Sequence, residues 1–242
     1  MRQRLLWWMV VAAVLGLQGS GWASEAAPRC RLTRVVDTHT PIPGGTGTFT
    51  ELGLNGGNFP RLDSPTVVFR GQGAMGQPGL YTARQGTIRV VADTSTPVPG
   101  GTGTFTDFFV EAIDGITVAF AGFDTVNQIG LYLADQDTIR VVADTSTPVP
   151  GGTGTFTDFF VGELALAGAT VGFRSVDMAA QVGLYLATEN TLMVVADTHT
   201  VIPGGTGTFT TVGTPRVAHK TVVFEGEGAA NQVGIYRGVC GF

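Results

Sequence analysis

The sequence predicts an all-β protein, and more specifically a four-bladed β-propeller. One segment recurs four times, so that a shared aspartate falls at positions 37, 93, 144 and 197 and the repeats are 51 to 56 residues long. The short apolar runs in each copy alternate with polar residues or are rich in β-branched residues, as strands are. Beyond residue 23, no segment sustains the apolar spacing of an amphipathic helix. Four-stranded units that repeat at about this length are typical of propeller blades.

The composition is that of a folded protein and excludes several classes. The 242 residues include 36 Gly and 12 Pro, yet 43% are hydrophobic, which argues against a disordered chain. There are 14 Lys and Arg against 19 Asp and Glu, so the formal net charge is -5. A chain this poor in basic residues has little to neutralise a phosphate backbone, and we expect no nucleic-acid partner. Two cysteines are too few for a disulfide-dense miniprotein.

The first residues have the features of an export signal. Arg2 and Arg4 precede an apolar run at residues 5–17, and Gly21 and Ala23 form a small–x–small cleavage pattern. The sequence therefore predicts a signal peptide at residues 1–23 and a secreted or periplasmic protein. No later run is long enough to span a membrane. Residues 24–242 are expected to form one propeller domain.

The repeats divide this domain into four parts, at about residues 31–86, 87–137, 138–190 and 191–242. The second copy, TIRVVADTSTPVPGGTGTFTDFFV from Thr87, recurs letter for letter from Thr138, and close variants begin at Leu32 and Thr191.

Within one unit the pattern predicts four strands. In the second unit they fall near residues 108–113, 116–120, 130–133 and 138–143. Asp114-Gly115 between two apolar runs is a strong signal for a two-residue hairpin turn. The Pro-x-Pro-Gly-Gly segment predicts a turn before the next strand, because Pro restricts φ and Gly permits positive φ.

These repeated motifs carry a resemblance to known proteins. The pattern of a [VA]-x-F strand, a G-[LI]-Y strand and a [LI]-x-x-V-A-D-T strand resembles TolB-type and related propeller repeats. VADTSTPVPGGTGTFT resembles the repeats of a group of uncharacterised secreted bacterial proteins. The resemblance covers residues from about 31 to 242. It implies a propeller fold and brings no activity with it.

The order of the motifs suggests how the ring would close. The first copy begins with the last strand of a unit, at residues 32–36, and the final copy ends just after Gly234-Ile235-Tyr236. An N-terminal strand would therefore complete the last blade. Cys30 and Cys240 would then be neighbours across one hairpin connection, and we expect them to form a disulfide in an oxidising compartment. The closed protein would be a monomer.

Repeated polar residues define a candidate binding surface, the face that carries the Pro-Gly-Gly loops. The repeated aspartates either accept hydrogen bonds within their own turns or supply ligands for calcium. The repeated glutamines precede the Gly-[Leu/Ile]-Tyr strand and either bond the neighbouring loop or face a ligand. The candidates are Asp37, Asp93, Asp144 and Asp197, with Gln77, Gln128, Gln181 and Gln232.

Two histidines form a candidate metal site. His39 and His199 occupy the same position in the first and last copies, which are adjacent in a closed ring. Together with Asp37 and Asp197 they could form a His2Asp2 set for a divalent ion. The alternative is that both are solvated loop residues and that the protein has no cofactor.

The sequence lacks the motifs of common catalytic sites. The Gly-Gly-Thr-Gly-Thr-Phe segment has no P-loop ending and precedes a strand, and there is no GxSxG or HExxH motif. A carboxylate pair drawn from the non-repeated Glu111, Asp114, Asp124 and Glu163 stays open. We expect a non-catalytic binding module for a protein or surface ligand. The alternatives are a structural envelope or assembly protein, and a propeller hydrolase or lyase, which non-repeated polar residues meeting at the centre would favour.

Overall fold

A computed structural model describes residues 30–53, 58–126 and 128–241. The predicted signal peptide, residues 1–23, lies outside these residues. The chain divides into two units, Met1–Thr33 and Arg34–Phe242. Residues 30–33 form no strand, and all the strands described below belong to the second unit. No helix in the described part of the chain is long and apolar enough to cross a membrane.

The first sheet is antiparallel and has five strands. They are β1 (Phe49–Leu52), β2 (Arg61–Asp63), β3 (Thr66–Gly73), β4 (Pro78–Arg84) and β5 (Thr87–Asp93). Their order across the sheet is β1-β3-β4-β5. The short strand β2 pairs with β3 on the same edge as β1, but at the opposite end of β3.

The second sheet confirms the four strands predicted for the second unit. They are β6 (Phe105–Asp114), β7 (Thr117–Asp124), β8 (Ile129–Asp135) and β9 (Thr138–Asp144), paired in that order. The predicted hairpin turn is also confirmed, because Gly115 has a φ of 64° between β6 and β7. β6 runs without interruption where the first sheet has two short strands. A register shift between Val110 and Ala112 places Glu111 at a β-bulge.

The third sheet repeats the five-stranded pattern, and the fourth lacks its outer strand. The third contains β10 (Phe156–Phe159), β11 (Ala165–Ala167), β12 (Thr170–Asp177), β13 (Val182–Ala187) and β14 (Leu192–Asp197). The fourth contains β15 (Phe209–Val212), β16 (Arg216–Ala218), β17 (Thr221–Gly228) and β18 (Gln232–Val239), with a 3-10 turn at Ala229–Asn231. Among the described residues, β18 pairs with β17 alone. The fold is therefore all-β, as predicted.

Each sheet is built around the same cluster of three aromatic rings. In the second sheet, the rings of Phe105 and Tyr132 meet edge to face, with their centroids 4.9 Å apart. Phe120 stacks on Tyr132. The equivalent clusters are Phe49, Phe69 and Tyr81; Phe156, Phe173 and Tyr185; and Phe209, Phe224 and Tyr236. The four tyrosines thus pack in the same register in all four sheets. We call this side of each sheet its aromatic face.

The sheets pack on one another in chain order. The opposite side of each sheet, here called its leucine face, carries Leu80, Leu131 or Leu184 in the first three sheets. Each of these leucines is at most 2% exposed and belongs to a core cluster that contains the aromatic face of the next sheet. Burial of apolar surface between successive faces therefore holds the four sheets in a row.

Polar contacts also join neighbouring sheets. Asp63 accepts a hydrogen bond from the Gly115 backbone at 2.5 Å, and Asp114 accepts one from the Gly168 backbone at the same distance. Each carboxylate thus links the inner hairpin of one sheet to that of the next.

The predicted ring closure by the N-terminal strand is wrong for this structure. Residues 32–36 form no strand, and no other strand of the described residues pairs with the free edge of β18. Val36 and Ile42 pack instead against the aromatic face of the first sheet. The register that would bring the cysteines together is therefore absent. The expected disulfide is also wrong, because Cys30 and Cys240 are both free thiols.

Candidate functional site

The four repeated aspartates form identical turns. At the end of β5 in the first sheet, Asp93 Oδ1 accepts hydrogen bonds from the Ser95 backbone at 2.9 Å and from the Thr96 hydroxyl at 3.1 Å. The Asp93 backbone in turn donates to the Thr96 hydroxyl oxygen at 2.9 Å. The same bonds form at the other three positions, Asp37, Asp144 and Asp197. Each carboxylate thus accepts hydrogen bonds within its own turn, one of the two roles considered from the sequence.

The same hydrogen bonds affect the pKa of the aspartates in these turns. At Asp37, the hydrogen bond from Thr40 lowers the pKa, and the Arg34 guanidinium at 2.8 Å adds to this effect. At Asp93, burial raises the pKa, but the combined hydrogen bonds from Ser95 and Thr96 outweigh it and leave the pKa lowered. Both carboxylates are therefore held in their charged form.

The loop after each turn is exposed and has a defined shape. A single bridge pairs Pro97 with Thr104, and the Val98 backbone donates to the Gly103 carbonyl at 3.0 Å. Gly100 has a φ of 75°, a conformation that favours glycine. The predicted Pro-Gly-Gly turn is confirmed. Equivalent bridges form at Pro41, Pro148 and Val201.

Three of the repeated glutamines lie near these loops. Gln181 Nε2 is 3.4 Å from His199 Nε2, and Gln232 packs beside the backbone of Gly205. Gln77 lines a cleft of about 220 Å³ together with Asp93 and other loop residues. This cleft is smaller than a pocket for a drug-sized ligand, which has about 300–1,000 Å³. Gln128 lies at the corresponding connection of the second sheet, where its backbone donates to Asp124.

The two histidines each contact a group that is close to them in the sequence. His39 Nδ1 is 3.8 Å from the Asp37 carboxylate, and His199 lies beside Gln181. Within the described residues, no group of three or more His, Cys, Asp or Glu side chains is arranged to hold a metal ion.

A larger groove, of about 940 Å³, lies between β5 and the β8–β9 hairpin. Arg84, Arg89 and Asp137 line it. Its lining residues include no aromatic side chain on which a ligand could stack. Their mixed charges and the absence of aromatic groups differ from the lining that is typical of small-molecule sites.

Non-repeated polar residues meet along the inner strands, where the sequence left an enzymatic alternative open. Glu111 is 4% exposed, and both its carboxylate oxygens accept the Gly162 N–H at 2.8 Å. Burial raises the pKa of Glu111, and backbone hydrogen bonds and Arg61 oppose this shift. Arg61 donates to the Glu111 carbonyl at 3.1 Å. Glu111 thus links the bulge of the second sheet to the β10–β11 connection.

The second carboxylate of this region is held in an ion pair. Glu163 contacts the guanidinium of Arg174, which also lies 4.1 Å from the centre of the Phe160 ring. Asp107 likewise accepts a hydrogen bond from Arg70 Nε at 2.9 Å and forms an ion pair with Arg70 Nη2 at 2.8 Å. These carboxylates join strands and sheets to one another.

The leucine face of the fourth sheet is exposed, and we call it the terminal face. It includes Val233, Ile235 and Arg237 of β18 with Val223, Glu225 and Glu227 of β17. Ile235 is 74% exposed and Val233 is 58% exposed. The residues that correspond to Ile235 in the first three sheets are Leu80, Leu131 and Leu184, which are at most 2% exposed. The terminal face is therefore the leucine face of a sheet that no other sheet of the described residues covers.

The aromatic side of the first sheet also has one exposed apolar residue. Leu62 of β2 is 69% exposed. Its equivalents Ile113, Leu166 and Val217 are partly buried, because each packs in a cluster with the preceding sheet. We call the side of the first sheet that carries Leu62 and the aromatic face the entry face.

The four repeats extend over almost the whole chain, and the chain matches one protein family over nearly the same range. The match covers residues 16–236. This chain belongs to a family of unknown function (DUF7453). No curated protein matches the chain. For this DUF7453 chain, function is therefore inferred from its own surfaces.

Sequence reasoning missed the two end faces of this DUF7453 chain. The apolar residues Ile235 and Leu62 stand at the same motif positions as buried residues, so their pattern is that of core positions. Nothing in that shared pattern distinguishes the exposed residues from the buried ones. Glu111 was noted only as one of several non-repeated carboxylates.

Proposed function

We propose that this chain is a secreted, non-catalytic interaction module of the propeller type that assembles with other protein chains through its terminal face. The observation that carries the proposal is the 74% exposure of Ile235 at a position buried in every preceding sheet. Exposed apolar side chains such as Ile235 and Val233 gain free energy when another protein covers them. In this proposal the row of four sheets forms part of a ring, and the ring is completed by assembly.

Two further observations support a non-catalytic role. The buried carboxylate of Glu111 accepts the Gly162 N–H, and Glu163 is paired with Arg174. Both groups are thus used to join structural elements. The repeated aspartates are used in the same way, within their own turns.

The loop face is the second candidate surface for binding. It presents four exposed loops of the same shape, fixed by the same hydrogen bonds. Identical loops on one rigid row suit multivalent binding, in which several weak contacts add to a stronger one. An assembly through the terminal face would increase the number of these loops.

Sedimentation velocity over a wide range of concentration tests the proposal. The wild-type protein without residues 1–23 is expected to form species heavier than one chain. The Ile235→Lys variant should sediment as a single chain, because a lysine on the terminal face cannot be buried without cost. Met178→Lys supplies the control, since Met178 is 70% exposed in a different part of the surface. A wild-type protein that stays a single chain at all concentrations would contradict the proposal.

A further inference from the structure

The two end faces of the chain are the two halves of one kind of interface. Inside the chain, three successive contacts pack a leucine face on the aromatic face of the next sheet. In the part of the chain that the structure describes, no sheet covers the terminal face. No sheet of these residues packs on the entry face either, and it exposes Leu62 where the equivalent residues are packed.

We propose that two copies of this chain join head to tail, with the terminal face of each packed on the entry face of the other. This inference rests on the proposed function and specifies the partner and the contact. Ile235 of one copy would occupy the position that Leu184 occupies against the fourth sheet. Leu62 of the other copy would take the position of Val217, which packs against the third sheet.

The N-terminal segment is already placed for this contact. Ala92 of β5 belongs to the core cluster formed with the aromatic face of the second sheet. Val36, at the same motif position, packs on the aromatic face of the first sheet. Residues 34–37 therefore lie where the outer strand of a preceding sheet would lie.

The fourth sheet of the second copy lacks this outer strand. In the first sheet, Leu80 pairs with Ala92 and Gly79 pairs with Asp93. The same register would pair Ile235 of one copy with Val36 of the other, and Gly234 with Asp37. The free edge of β18 would then gain backbone hydrogen bonds, which an exposed sheet edge readily forms with another chain.

The number of sheets favours two copies. Two chains of four sheets give a ring of eight, and propellers typically have about four to eight blades. Two identical head-to-tail contacts would close such a ring and leave no free end, as in other closed oligomers. The sequence alone suggested a monomer, because it assigned residues 32–36 to the fourth sheet of their own chain.

Charge substitutions on the two faces test the proposal. Leu62→Lys and Ile235→Lys are each expected to weaken dimer formation at least about tenfold in sedimentation velocity, as loss of a central apolar contact does. Met178→Lys should leave it unchanged. A mixture of the two defective variants should form a dimer, because one of its two contacts combines an intact terminal face with an intact entry face.

Other outcomes would overturn the head-to-tail contact while leaving the proposed function intact. A dimer weakened by Ile235→Lys but unchanged by Leu62→Lys would show that two terminal faces pack on each other. A wild-type protein that stays a single chain would contradict both the contact and the proposed function.

The natural cysteines supply an independent test of register. In the proposed pairing, Cys240 of one copy lies beside Cys30 of the other, at positions that correspond to Gln85 and Gly86. Chains with and without ¹⁵N label are mixed, left to exchange and oxidised with copper phenanthroline, which accepts two electrons as the two thiols release their protons. Linked Cys30–Cys240 peptides with one labelled half are expected. The register would be overturned if every linked peptide had both halves labelled or both unlabelled. It would also be overturned if the dimers gave no linked peptide.

Discussion

The Tyr132 hydroxyl lies over the backbone of Gly130, so that a Cβ atom on Gly130 would come within 2.6 Å of this oxygen. The same relationship holds for Gly79 and Tyr81, where the distance would be 2.5 Å. The glycine of the Gly-[Leu/Ile]-Tyr motif thus leaves space for the tyrosine two residues later. The ring can then fold back along its own strand and meet the two phenylalanines of the aromatic face.

Replacement of this glycine is expected to destabilise the second sheet. Gly130→Ala should lower the free energy of unfolding by about 1–3 kcal/mol, because the new methyl group overlaps the Tyr132 ring. Chemical denaturation measures the loss. Gly241→Ala is the control, since a Cβ at Gly241 meets no atom within 4 Å. Adding Tyr132→Phe to Gly130→Ala should restore part of the stability, and a Gly130→Ala protein as stable as the wild type would show that the overlap is relieved at no cost.

The ion pair between the first two sheets has a natural comparison in the third sheet. Asp107 accepts hydrogen bonds from the Phe108 backbone and from Arg70, whose side chain is 13% exposed. Asp158 accepts the equivalent bond from the Phe159 backbone and forms no ion pair among the described contacts.

Asp107→Asn should therefore destabilise the protein more than Asp158→Asn. The expected difference in the free energy of unfolding is about 0.5–1 kcal/mol, a range that reflects the 44% exposure of the Asp107 side chain. The difference should shrink in high salt, because salt screens partly exposed charges. Equal losses in the two variants would mean that the ion pair contributes no net stability.

Glu111 is expected to make stability depend on pH. Burial raises its pKa in the folded protein above the ordinary value of 4.5. At a pH between the ordinary pKa, which holds in the unfolded chain, and the raised pKa of the folded protein, the folded state binds more protons than the unfolded state. The free energy of unfolding therefore falls as pH rises through this range. The slope from one such group is at most about 1.4 kcal/mol per pH unit. In Glu111→Gln this fall should be absent, whereas Glu189→Gln, which changes an exposed residue, should keep it. Parallel stability curves for the wild type and Glu111→Gln would contradict the assignment.

The tyrosines of the aromatic faces should ionise late. Burial, with the nearby Asp177 and Asp197 charges, raises the pKa of Tyr185 to about 12, and burial likewise raises the pKa of Tyr81 and Tyr132. Tyrosinate absorbance of the folded protein is therefore expected to rise at higher pH than that of the unfolded protein. Since the folded pKa values are raised, stability should fall as pH rises above 10. Tyr185→Phe should remove part of the late rise, and identical titrations of folded and unfolded chains would contradict the packing.

Prediction from the sequence succeeded where local pattern decides structure. The four strands of the second sheet, the Asp114-Gly115 turn and the Pro-Gly-Gly turns follow from alternation and from the conformational limits of Pro and Gly. It failed at ring closure. Residues 32–36 carry a strand pattern, but that pattern does not specify which sheet edge, in which copy, would pair with it.

The sequence by itself determined the all-β class, the repeat and the place of each aromatic residue in its strand, because these depend on neighbours within one unit. Only the tertiary structure decided that Glu111 joins two sheets, that Val36 covers the first aromatic face and that Ile235 is exposed. Ile235 and Leu184 stand in the same motif, and their burial differs because a following sheet covers one and not the other. Whether a residue is buried depends on what packs against it in space, and the repeat motif alone does not show whether another sheet does so.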